Sequence, residues 1–414
     1  MDLQQKLLII GAGIGQVPLL KKAKKRGIHV TVVSIPGNYP CFEMADDIIY
    51  EDIYNRDVIV EEARKRKITA VISDQNDLMM PTVAYVAEKL GLPGNKFTTV
   101  MSYCDKNKFR DICDTVGIPC PKHKAVSKDM VDVKINAPFP WIVKPADSQS
   151  SIGVQKVNNE TELYKKIDFA ISKSPTGHAI VEEFFTGREI VCEGFINEGK
   201  YYSLQFADRK YFDLHDVLIP SQTLFPSTIK KCYKKSILEY ETRLAEYTKP
   251  SFAIVHSEYL INEESGEIRM IESALRGGGV YISSDLIPMA TGIDINDVLL
   301  SKTLGDNIYV DKVFELRKEC ASAYLCFYLN EGTINSIAGV EKVNSLPFVK
   351  AAYIDGLQVG QRTELPTYKG ARIGPILVKG KDRDELEHNI RSVQSILDIQ
   401  ILDKNNKKDC IHWK

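Results

Sequence analysis

Residues Trp141 to Val154 read WIVKPADSQSSIGV, and this stretch gives the best clue to the fold and its use. An apolar run ends on Lys144, Pro145 stops it, and a loop of small hydroxyl residues leads into a second apolar run, Val154 to Val157. The pattern predicts a strand, a flexible loop and a strand, with one fixed positive charge at the base of the loop. Backbone N–H groups and hydroxyls on such a loop can surround phosphate oxygens. Taken alone, the stretch is equally compatible with an ordinary surface hairpin.

Length and composition bound the class of protein. The chain has 414 residues, of which 44% are hydrophobic and 26% charged, and this predicts a soluble globular protein of two or three domains. A net charge of -1 gives no reason to expect nucleic acid or a membrane surface as partner. We find no secretory signal and no uncharged apolar run long enough to cross a bilayer. The nine cysteines include no Cys-x-x-Cys pair, so neither a disulfide framework nor a zinc site is expected, and a reducing cytoplasm fits better.

Strand and helix patterns alternate through the first hundred residues, which predicts a parallel sheet covered on both faces. The predicted strands are Leu7 to Ile10, Val30 to Val33, Asp47 to Tyr50 and Ala70 to Ser73, and the predicted helices are Val17 to Lys25 and Asp57 to Arg66. A further helix begins after Asp105, which is a good N-cap, and ends at Gly117.

Strand patterns dominate the middle of the chain, and the last region mixes strand and helix. Strand signals run from about Phe139 to Ile271, with a polar hairpin turn at Asn262 to Glu267. A helix-rich segment, Ile293 to Leu304, follows. The last region begins with a strand, Ala323 to Leu329, and contains an amphipathic helix, Asp382 to Leu397.

The glycine-rich start, Gly11-Ala-Gly13-Ile-Gly15, resembles a dinucleotide fingerprint only in part. That fingerprint needs a glycine where this chain has Gln16, and an acid at the end of the second strand, where this chain has Ser34. We therefore interpret the segment as a tight strand-to-helix turn, and a nicotinamide-dependent oxidoreductase is a distant alternative.

Two glutamates are candidates for binding a cation. A hairpin centred near residues 264 and 265 places Glu258 opposite position 271 or 272, so that Glu258 and Glu272 become cross-strand neighbours. Opposed carboxylates repel unless protons or a cation offset them, and divalent ions that hold nucleotide phosphates use such carboxylates. A solvated hairpin with unrelated charges is the alternative. Arg276 and three glycines follow directly, and an arginine there could stabilise charge on a transferring phosphoryl group.

Together these segments, in this order and spacing, resemble the ATP-grasp superfamily, and in particular its carboxylate–amine ligases of the amino-acid-ligase, biotin-carboxylase and carbamoyl-phosphate-synthase type. The resemblance covers nearly the whole chain. It implies an α/β and α+β fold: a Rossmann-like domain over residues 1–100, an ATP-grasp core of two α+β lobes over 101–315, and a small α+β lobe over 316–414. The segment Gly370 to Gly380 is similar to the C-terminal part of amino-acid ligases.

The resemblance also implies a set of site residues. Two lysines and the loop after the second would bind the nucleotide phosphates, and the segment Ile180 to Glu189 would bind the base and ribose. The glutamate pair would bind the metal, and two arginines would face the reacting phosphoryl group. The phosphate residues are Lys106, Lys144, Ser148, Ser150, Ser151 and Gly153; those for the base and ribose are Glu182, Glu183, Phe185 and Glu189; the metal ligands are Glu258 and Glu272; the catalytic arginines are Arg276 and Arg209. His215 and the Pro220-Ser221 pair fall in the segment that borders the substrate in similar enzymes. Asp74, Asp77 and Arg372 are further candidates for substrate contact.

The function that follows is an ATP-dependent ligase that joins a small-molecule carboxylate to an amine through an acyl phosphate, with Mg²⁺ or Mn²⁺ as metal. Many relatives carry an asparagine two residues after the second glutamate, whereas this chain has Ala274, which leaves one or two metal ions open. Alternatives are a carbamoyl-phosphate-synthase-like or purine-pathway enzyme that phosphorylates a carboxylate, and a nucleotide-binding protein without turnover. The expected location is the cytoplasm, without nucleic acid or membrane partners, and a homodimer is left open.

Overall fold

The structure is a computed structural model, and it describes residues 5–128, 130, 133–148, 152–214 and 217–414. Its first region is a four-stranded parallel sheet in the order β3-β2-β1-β4, as the alternating pattern predicts. The strands are β1 (Lys6–Ile10), β2 (His29–Ser34), β3 (Asp47–Tyr50) and β4 (Ala70–Ile72), and the helices that follow or connect them are α1 (Val17–Lys25), α2 (Arg56–Arg66), α3 (Met80–Leu90), α4 (Phe97–Cys104) and α5 (Lys106–Val116).

Alternation along β1 explains why this sheet is covered on both faces. Leu7 and Ile9 pack in one apolar core with α1. Leu8 and Ile10 point the other way, into a second core formed with α2 and α3. Because all four side chains are fully buried, the sheet forms a rigid base for the loops at its carboxyl edge.

The glycine-rich start is a tight turn at that edge, as predicted. Gly11 has a φ of +90°, which an L side chain rarely adopts. Gln16, which stands where the dinucleotide fingerprint needs a glycine, is buried and fills the turn. Its Oε1 accepts a hydrogen bond from Gly13 N at 3.1 Å, and its Nε2 donates to Asp74 O at 2.8 Å.

The second region is a small antiparallel sheet in the order β5-β8-β6-β7, with one helix packed on it. The first five residues of the stretch WIVKPADSQSSIGV form β6, and β7 begins directly after the stretch, at Gln155; residues 149–151 lie outside the described residues. The elements are β5 (His123–Ser127), β6 (Trp141–Pro145), β7 (Gln155–Val157), α6 (Glu160–Ser172) and β8 (His178–Glu183).

An eight-stranded antiparallel sheet dominates the rest of the chain, in the order β13-β12-β9-β10-β11-β14-β18-β16. It is continuous across the proposed boundary between residues 315 and 316, because β14, β16 and β18 join strands of the preceding region. Its strands and the neighbouring helices are β9 (Arg188–Asn197), β10 (Lys200–Tyr211), β11 (Pro220–Phe225), α7 (Lys231–Thr248), β12 (Phe252–Asn262), β13 (Glu267–Ala274), α8 (Ile287–Thr291), α9 (Ile295–Leu304), α10 (Val310–Glu315) and β14 (Ala321–Phe327).

The C-terminal region returns strands to the large sheet and adds a smaller one in the order β17-β15-β19-β20. The three-part division of the chain stays a prediction. The remaining elements are β15 (Gly332–Ala338), α11 (Val340–Asn344), β16 (Val349–Ala352), β17 (Arg362–Thr363), β18 (Ile373–Gly380), α12 (Arg383–Ile396), β19 (Asp398–Leu402) and β20 (Lys408–Cys410).

Strands dominate residues 139–271, as predicted, but the region also contains two helices that the sequence analysis missed, α6 and α7. In α6, the buried residues Leu163, Ile167 and Ala170 recur at helical spacing, and the side chain of Asn159 caps the helix start. The 18 residues of α7 include many lysines and glutamates. Their charge obscures the apolar stripe that packs against the large sheet.

Asp74, at the carboxyl edge of the first sheet, joins that sheet to the rest of the protein. It is fully buried, and its carboxylate accepts hydrogen bonds from Gly277 N at 2.6 Å, Ser283 Oγ at 2.7 Å and Asn296 Nδ2 at 2.8 Å. These donors lie more than 200 residues away in the chain. Asp74 is therefore a structural anchor for the segment after β13, and it does not line the cleft described below.

Replacing Asp74 by alanine is expected to destabilise the protein by about 3 kcal/mol, because three buried donors lose their acceptor. Urea unfolding followed by circular dichroism measures this change. The matched control is Asp306→Ala, since Asp306 is exposed and pairs only at the surface with Arg26 at 3.3 Å. Equal stability of the two variants would contradict the anchoring role.

Candidate active site

One cleft, of about 390 Å³, lies between the small sheet, the large sheet and the carboxyl edge of the first sheet. Side chains from all three regions converge on it. Those expected from the sequence are Lys106, Lys144, Ser148, Glu182, Glu183, Phe185, Glu189, Arg209, Glu258, Glu272 and Arg276, with Asp77, Pro220 and Arg372 beside them. Gly153 does not line the cleft, and Ser150, Ser151 and His215 lie outside the described residues.

The glutamate pair lies where the hairpin register predicts. Strands β12 and β13 are antiparallel, their turn spans residues 263–266, and Glu258 is the cross-strand partner of Glu272. Glu258 forms ion pairs with Arg209 and, at 3.3 Å, with His256 Nε2. Burial alone raises the pKa of Glu258, but Arg209 and His256 outweigh it and hold the pKa well below its ordinary value. The carboxylate is therefore ionised at neutral pH.

The chemistry of this donor set suits a hard divalent cation. Two opposed carboxylates supply the oxygen ligands that Mg²⁺ and Mn²⁺ prefer. Among the described residues, Glu272 forms no ion pair, so its charge is available to an ion. Ala274 lies opposite His256 in the ladder, and its methyl group offers no ligand atom. The two glutamates are thus the carboxylates that this hairpin can give to a metal.

His256 and Glu193 form a buried pair next to these carboxylates, and sequence reasoning missed both. His256 Nδ1 is hydrogen-bonded to Glu193, whose other oxygen accepts from Gly278 N at 3.4 Å. Burial alone lowers the pKa of His256, but Glu193 and Glu258 outweigh it and raise the pKa to about 9. The imidazolium adds positive charge beside Glu258. A signal was present, because residues 256 and 258 share one face of a strand.

Lys144 lies in a buried ion-pair cluster with Glu182 and Arg110. The two Glu182 oxygens face Lys144 Nζ at 2.6 Å and Arg110 Nε at 2.8 Å. Arg110, which the sequence did not single out, also donates to Ile271 O at 2.7 Å, on the strand that carries Glu272. The cluster therefore fixes α5 and the small sheet against β13. The expected role of Glu182 toward an adenine amine stays a prediction.

Arg209 joins two neighbouring carboxylates of the cleft. Its Nη1 pairs with Glu189 at 2.8 Å and with Glu258, and Glu189 also accepts a hydrogen bond from the Tyr211 hydroxyl. Within the described part of the chain, the buried Nε of Arg209 has no partner. An orphaned guanidinium N–H at this position is a donor for an anionic ligand.

Arg276, which also lines the cleft, is held by Asp77. Its Nε and Nη2 donate to the two Asp77 oxygens at 2.9 and 2.6 Å, in a side-by-side arrangement that fixes the guanidinium plane. Asp77 follows β4 of the first sheet, so this ion pair also joins two regions of the chain. The Arg276 guanidinium lies close enough to Glu272 to interact with its charge.

Two family models match parts of the chain. Residues 137–284 match the ATP-grasp domain, and this range includes Lys144, Glu258 and Glu272. The chain contains an ATP-grasp domain. Residues 325–401 match the L-amino acid ligase C-terminal domain 2, which agrees with the predicted similarity of Gly370 to Gly380. These matches confirm the resemblance to the ATP-grasp superfamily that the sequence motifs indicate.

Curated proteins that are similar to parts of this chain are named as ligases. A D-alanine–D-alanine ligase of Solibacter usitatus is 31% identical over 118 residues, which are 27% of this chain and 36% of that protein. An alanine–anticapsin ligase of Bacillus subtilis is 29% identical over 254 residues, 55% of this chain and 52% of that protein. The match thus spans about a third of the length of the first of these curated proteins and about half of the length of the second.

Solved structures confirm the predicted α/β and α+β fold class. The L-amino acid ligase from Bacillus licheniformis superposes with a TM-score of 0.79 at 22% identity, covering 96% of this chain and 99% of that one. A biotin carboxylase from Campylobacter jejuni gives 0.71 at 16% identity, covering 99% and 92%. Among the described residues of the chain, no helix has both the length and the apolar character that spanning a bilayer requires.

The segment between β6 and β7 is constrained at Ser148 and at Gly153. Lys106 Nζ donates to Ser148 O at 2.6 Å, and Ser148 Oγ donates to Lys173 O at 2.7 Å, so this hydroxyl is already engaged. Gly153 has a φ of +74°, and a Cβ there would approach Pro145 Cγ to 2.7 Å. Gly153 is therefore needed to bring the loop back over β6.

The Glu182 cluster gives a pH-dependent prediction. Burial alone raises the pKa of Glu182, but Arg110 and Lys144 outweigh it and lower the pKa from 4.5 to about 2. The ionised carboxylate thus stabilises the fold above pH 4.5, and this contribution is lost as the pH falls toward 2. Glu182→Gln is expected to cost about 3 kcal/mol at pH 7, and the difference from the unmodified protein shrinks on acidification.

Urea unfolding at a series of pH values between 7 and 3.5 measures this difference. Glu246→Gln, at an exposed position of α7, is the control and is expected to show a small difference at every pH. A stability deficit of Glu182→Gln that stays constant from neutral to acid pH would show that the charge of Glu182 is not what stabilises the cluster.

Proposed function

We propose that this protein is an ATP-dependent ligase that joins a carboxylate to an amine and releases ADP and phosphate. The observation that carries the proposal is the cross-strand pair of Glu258 and Glu272, which shares one cleft with Lys106, Lys144 and two arginines. An ATP-grasp domain around this cleft supports the same chemistry. The names of the relatives, which are ligases for alanine or for L-amino acids, support an amino-acid-like substrate.

ATP is expected to lie along the cleft, with its base near the small sheet. In this proposal, Glu182, Glu183, Phe185 and Glu189 contact the base and ribose. The phosphates are held by the positive charges of Lys106 and Lys144 and by the loop from Ser148 through Ser150 and Ser151 to Gly153. Glu258 and Glu272 would hold Mg²⁺ or Mn²⁺, which neutralises phosphate charge when it is bound.

The arginines act on the reacting groups. A substrate carboxylate attacks the terminal phosphate, giving ADP and an acyl phosphate, and the amine then displaces phosphate to form the amide. Arg209 and Arg276 both line the cleft, and their fixed charges would stabilise the negative charge that spreads over the transferring phosphoryl group. The loop after Lys144 would exclude water, which protects the acyl phosphate from hydrolysis.

Gln75 supports a substrate site at the end of the cleft formed by the first sheet. It follows β4 with a φ of +64°, unusual for a residue with a side chain, and it lines the cleft. Its Nε2 is buried and has no partner among the described residues. Gly15 makes room for it, since a Cβ at Gly15 would lie 3.3 Å from Gln75 Cβ. An amide N–H₂ held in this way is a donor for a substrate carboxylate or carbonyl.

The location that we propose is the cytoplasm. All nine cysteines are free thiols, and several, such as Cys41, Cys113 and Cys192, are buried, which is typical of proteins in a reducing compartment. The partners in this proposal are small-molecule carboxylate and amine substrates. A homodimer stays a prediction.

The proposal is tested by mixing the protein with ATP, Mg²⁺ and pairs of amino acids and measuring ADP and dipeptide together. Glu272→Gln and Lys144→Ala are each expected to lower turnover by on the order of 100-fold or more, because the first removes a carboxylate that would hold the metal and the second removes a positive charge that faces the phosphates. Glu264→Gln, in the exposed turn of the same hairpin, is the control and should retain full activity. ADP formation with bicarbonate and ammonia in place of amino acids would favour the carbamoyl-phosphate alternative. Nucleotide binding without turnover on any substrate would refute the ligase.

The Gln75 contact gives a separate prediction. Gln75→Ala is expected to raise KM for one amino-acid substrate by about 10- to 100-fold, since a hydrogen bond to a charged group is lost. Steady-state kinetics measures this, and isothermal titration with ADP should show unchanged nucleotide affinity. Gln75→Asn keeps an amide and also tolerates the positive φ, so it should show a smaller rise. A fall in ADP affinity with unchanged KM would contradict the contact.

A further inference from the structure

A second group of metal-ligating side chains lies away from the glutamate pair, where α5 ends and β5 begins. One oxygen of Asp114, the sulfur of Cys120 and one ring nitrogen of His123 all lie within 4.8 Å of one another. Cys120 Sγ is 3.7 Å from Asp114 Oδ1, and His123 Nε2 is 3.5 Å from Asp114 Oδ2. Ligand atoms bound at about 2.0–2.3 Å in a tetrahedral site are separated by distances of this size.

The local fold brings these donors together. Helix α5 ends at Val116, and Gly117, with a φ of +66°, reverses the chain, so that Cys120 returns beside Asp114 in the last turn of the helix. The connecting segment is tied to the large sheet, because Met270 N donates to Pro119 O at 2.8 Å. The donors therefore belong to a fixed turn rather than to independent surface side chains.

His123 turns a different ring nitrogen to each of the other two donors: Nδ1 lies 3.8 Å from Cys120 Sγ, and Nε2 lies 3.5 Å from Asp114 Oδ2. Its Nδ1 lies 3.0 Å from Pro121 O, so an N–H at Nδ1 can donate to this carbonyl. The lone pair is then on Nε2, the nitrogen that faces Asp114. A ligating histidine commonly donates its second ring N–H to a carbonyl or carboxylate in this way, which fixes both the tautomer and the ring plane.

We propose that Asp114, Cys120 and His123 form a binding site for a divalent cation of the zinc class, separate from the nucleotide-linked metal. A thiolate, an imidazole and a carboxylate are together a ligand set for Zn²⁺ or Co²⁺, whereas Mg²⁺ and Mn²⁺ prefer oxygen ligands alone. The Asp114 side chain is 65% exposed, so the site opens to solvent and water can complete the coordination.

A metal at this site would stabilise one wall of the cleft. His123 is the cross-strand partner of Glu182, and Pro121 lines the cleft. Helix α5, which carries Asp114, also carries Arg110, the second cation on Glu182. A cation that joins the end of α5 to the start of β5 would therefore tie together two elements that hold Glu182. The inference does not depend on the ligase proposal, because it uses no substrate.

The test is Co²⁺ binding to the full chain after treatment with a chelator, in excess Mg²⁺ so that the glutamate pair is not the site observed. We expect a thiolate-to-cobalt charge-transfer band in the near ultraviolet that saturates at one equivalent and is displaced by Zn²⁺. Cys120→Ser is expected to abolish the band and to weaken binding by on the order of 100-fold or more. Cys232→Ser, at an exposed cysteine of α7, is the matched control and should bind like the unmodified chain.

Asp114→Ala is a second variant that keeps the test interpretable, because its exposed side chain contributes little to folding. It should weaken Co²⁺ binding while the charge-transfer band stays, since the thiolate remains. Zn²⁺ should raise the midpoint of thermal unfolding of the unmodified chain and of Cys232→Ser, but not that of Cys120→Ser. Absence of the band in the unmodified chain, or its persistence in Cys120→Ser, would overturn the site.

Discussion

The architecture of the cleft depends on the electrostatic cost of placing two carboxylates opposite each other on neighbouring strands. Glu258 and Glu272 are direct partners in the β12–β13 ladder, and opposed negative charges destabilise a sheet unless cations compensate them. Three cations supply this compensation. Arg209 comes from β10, His256 from β12 itself, and Arg276 from the segment after β13.

These cations are in turn held by acids from other elements, which makes the cleft a network rather than a set of separate contacts. Glu193 holds His256, Glu189 holds Arg209, and Asp77 holds Arg276. Because Asp77 lies in the segment that follows β4 of the first sheet, the network connects different regions of the chain. Buried ion pairs in such networks add little net stability, but the loss of one member leaves a buried charge unpaired and is costly.

Features specified within a short segment could be predicted from the sequence. The hairpin turn between Asn262 and Glu267, the helix cap at Asp105 and the glutamate register all follow from neighbouring residues, and the structure contains them. Contacts between distant residues could not be predicted in this way. Arg110 and Glu182 are 72 residues apart, and His256 and Glu193 are 63 apart, so no local pattern connects them.

The charge balance of the cleft bears on how the proposed reaction could be controlled. Lys144 and Arg209, two of the cations expected to face phosphates, are each paired with carboxylates that are themselves expected to contact nucleotide or metal. On the proposed function, ATP and its metal bring both an anion and a cation into this network. A metal at Glu258 competes with Arg209 for the carboxylate, while a phosphoryl group competes with Glu258 for the guanidinium. Each group that loses one partner in this exchange gains another of opposite charge, so the catalytic cations need not be exposed unpaired at any stage. This arrangement favours a site in which basic groups turn to the phosphates only when nucleotide and metal arrive together.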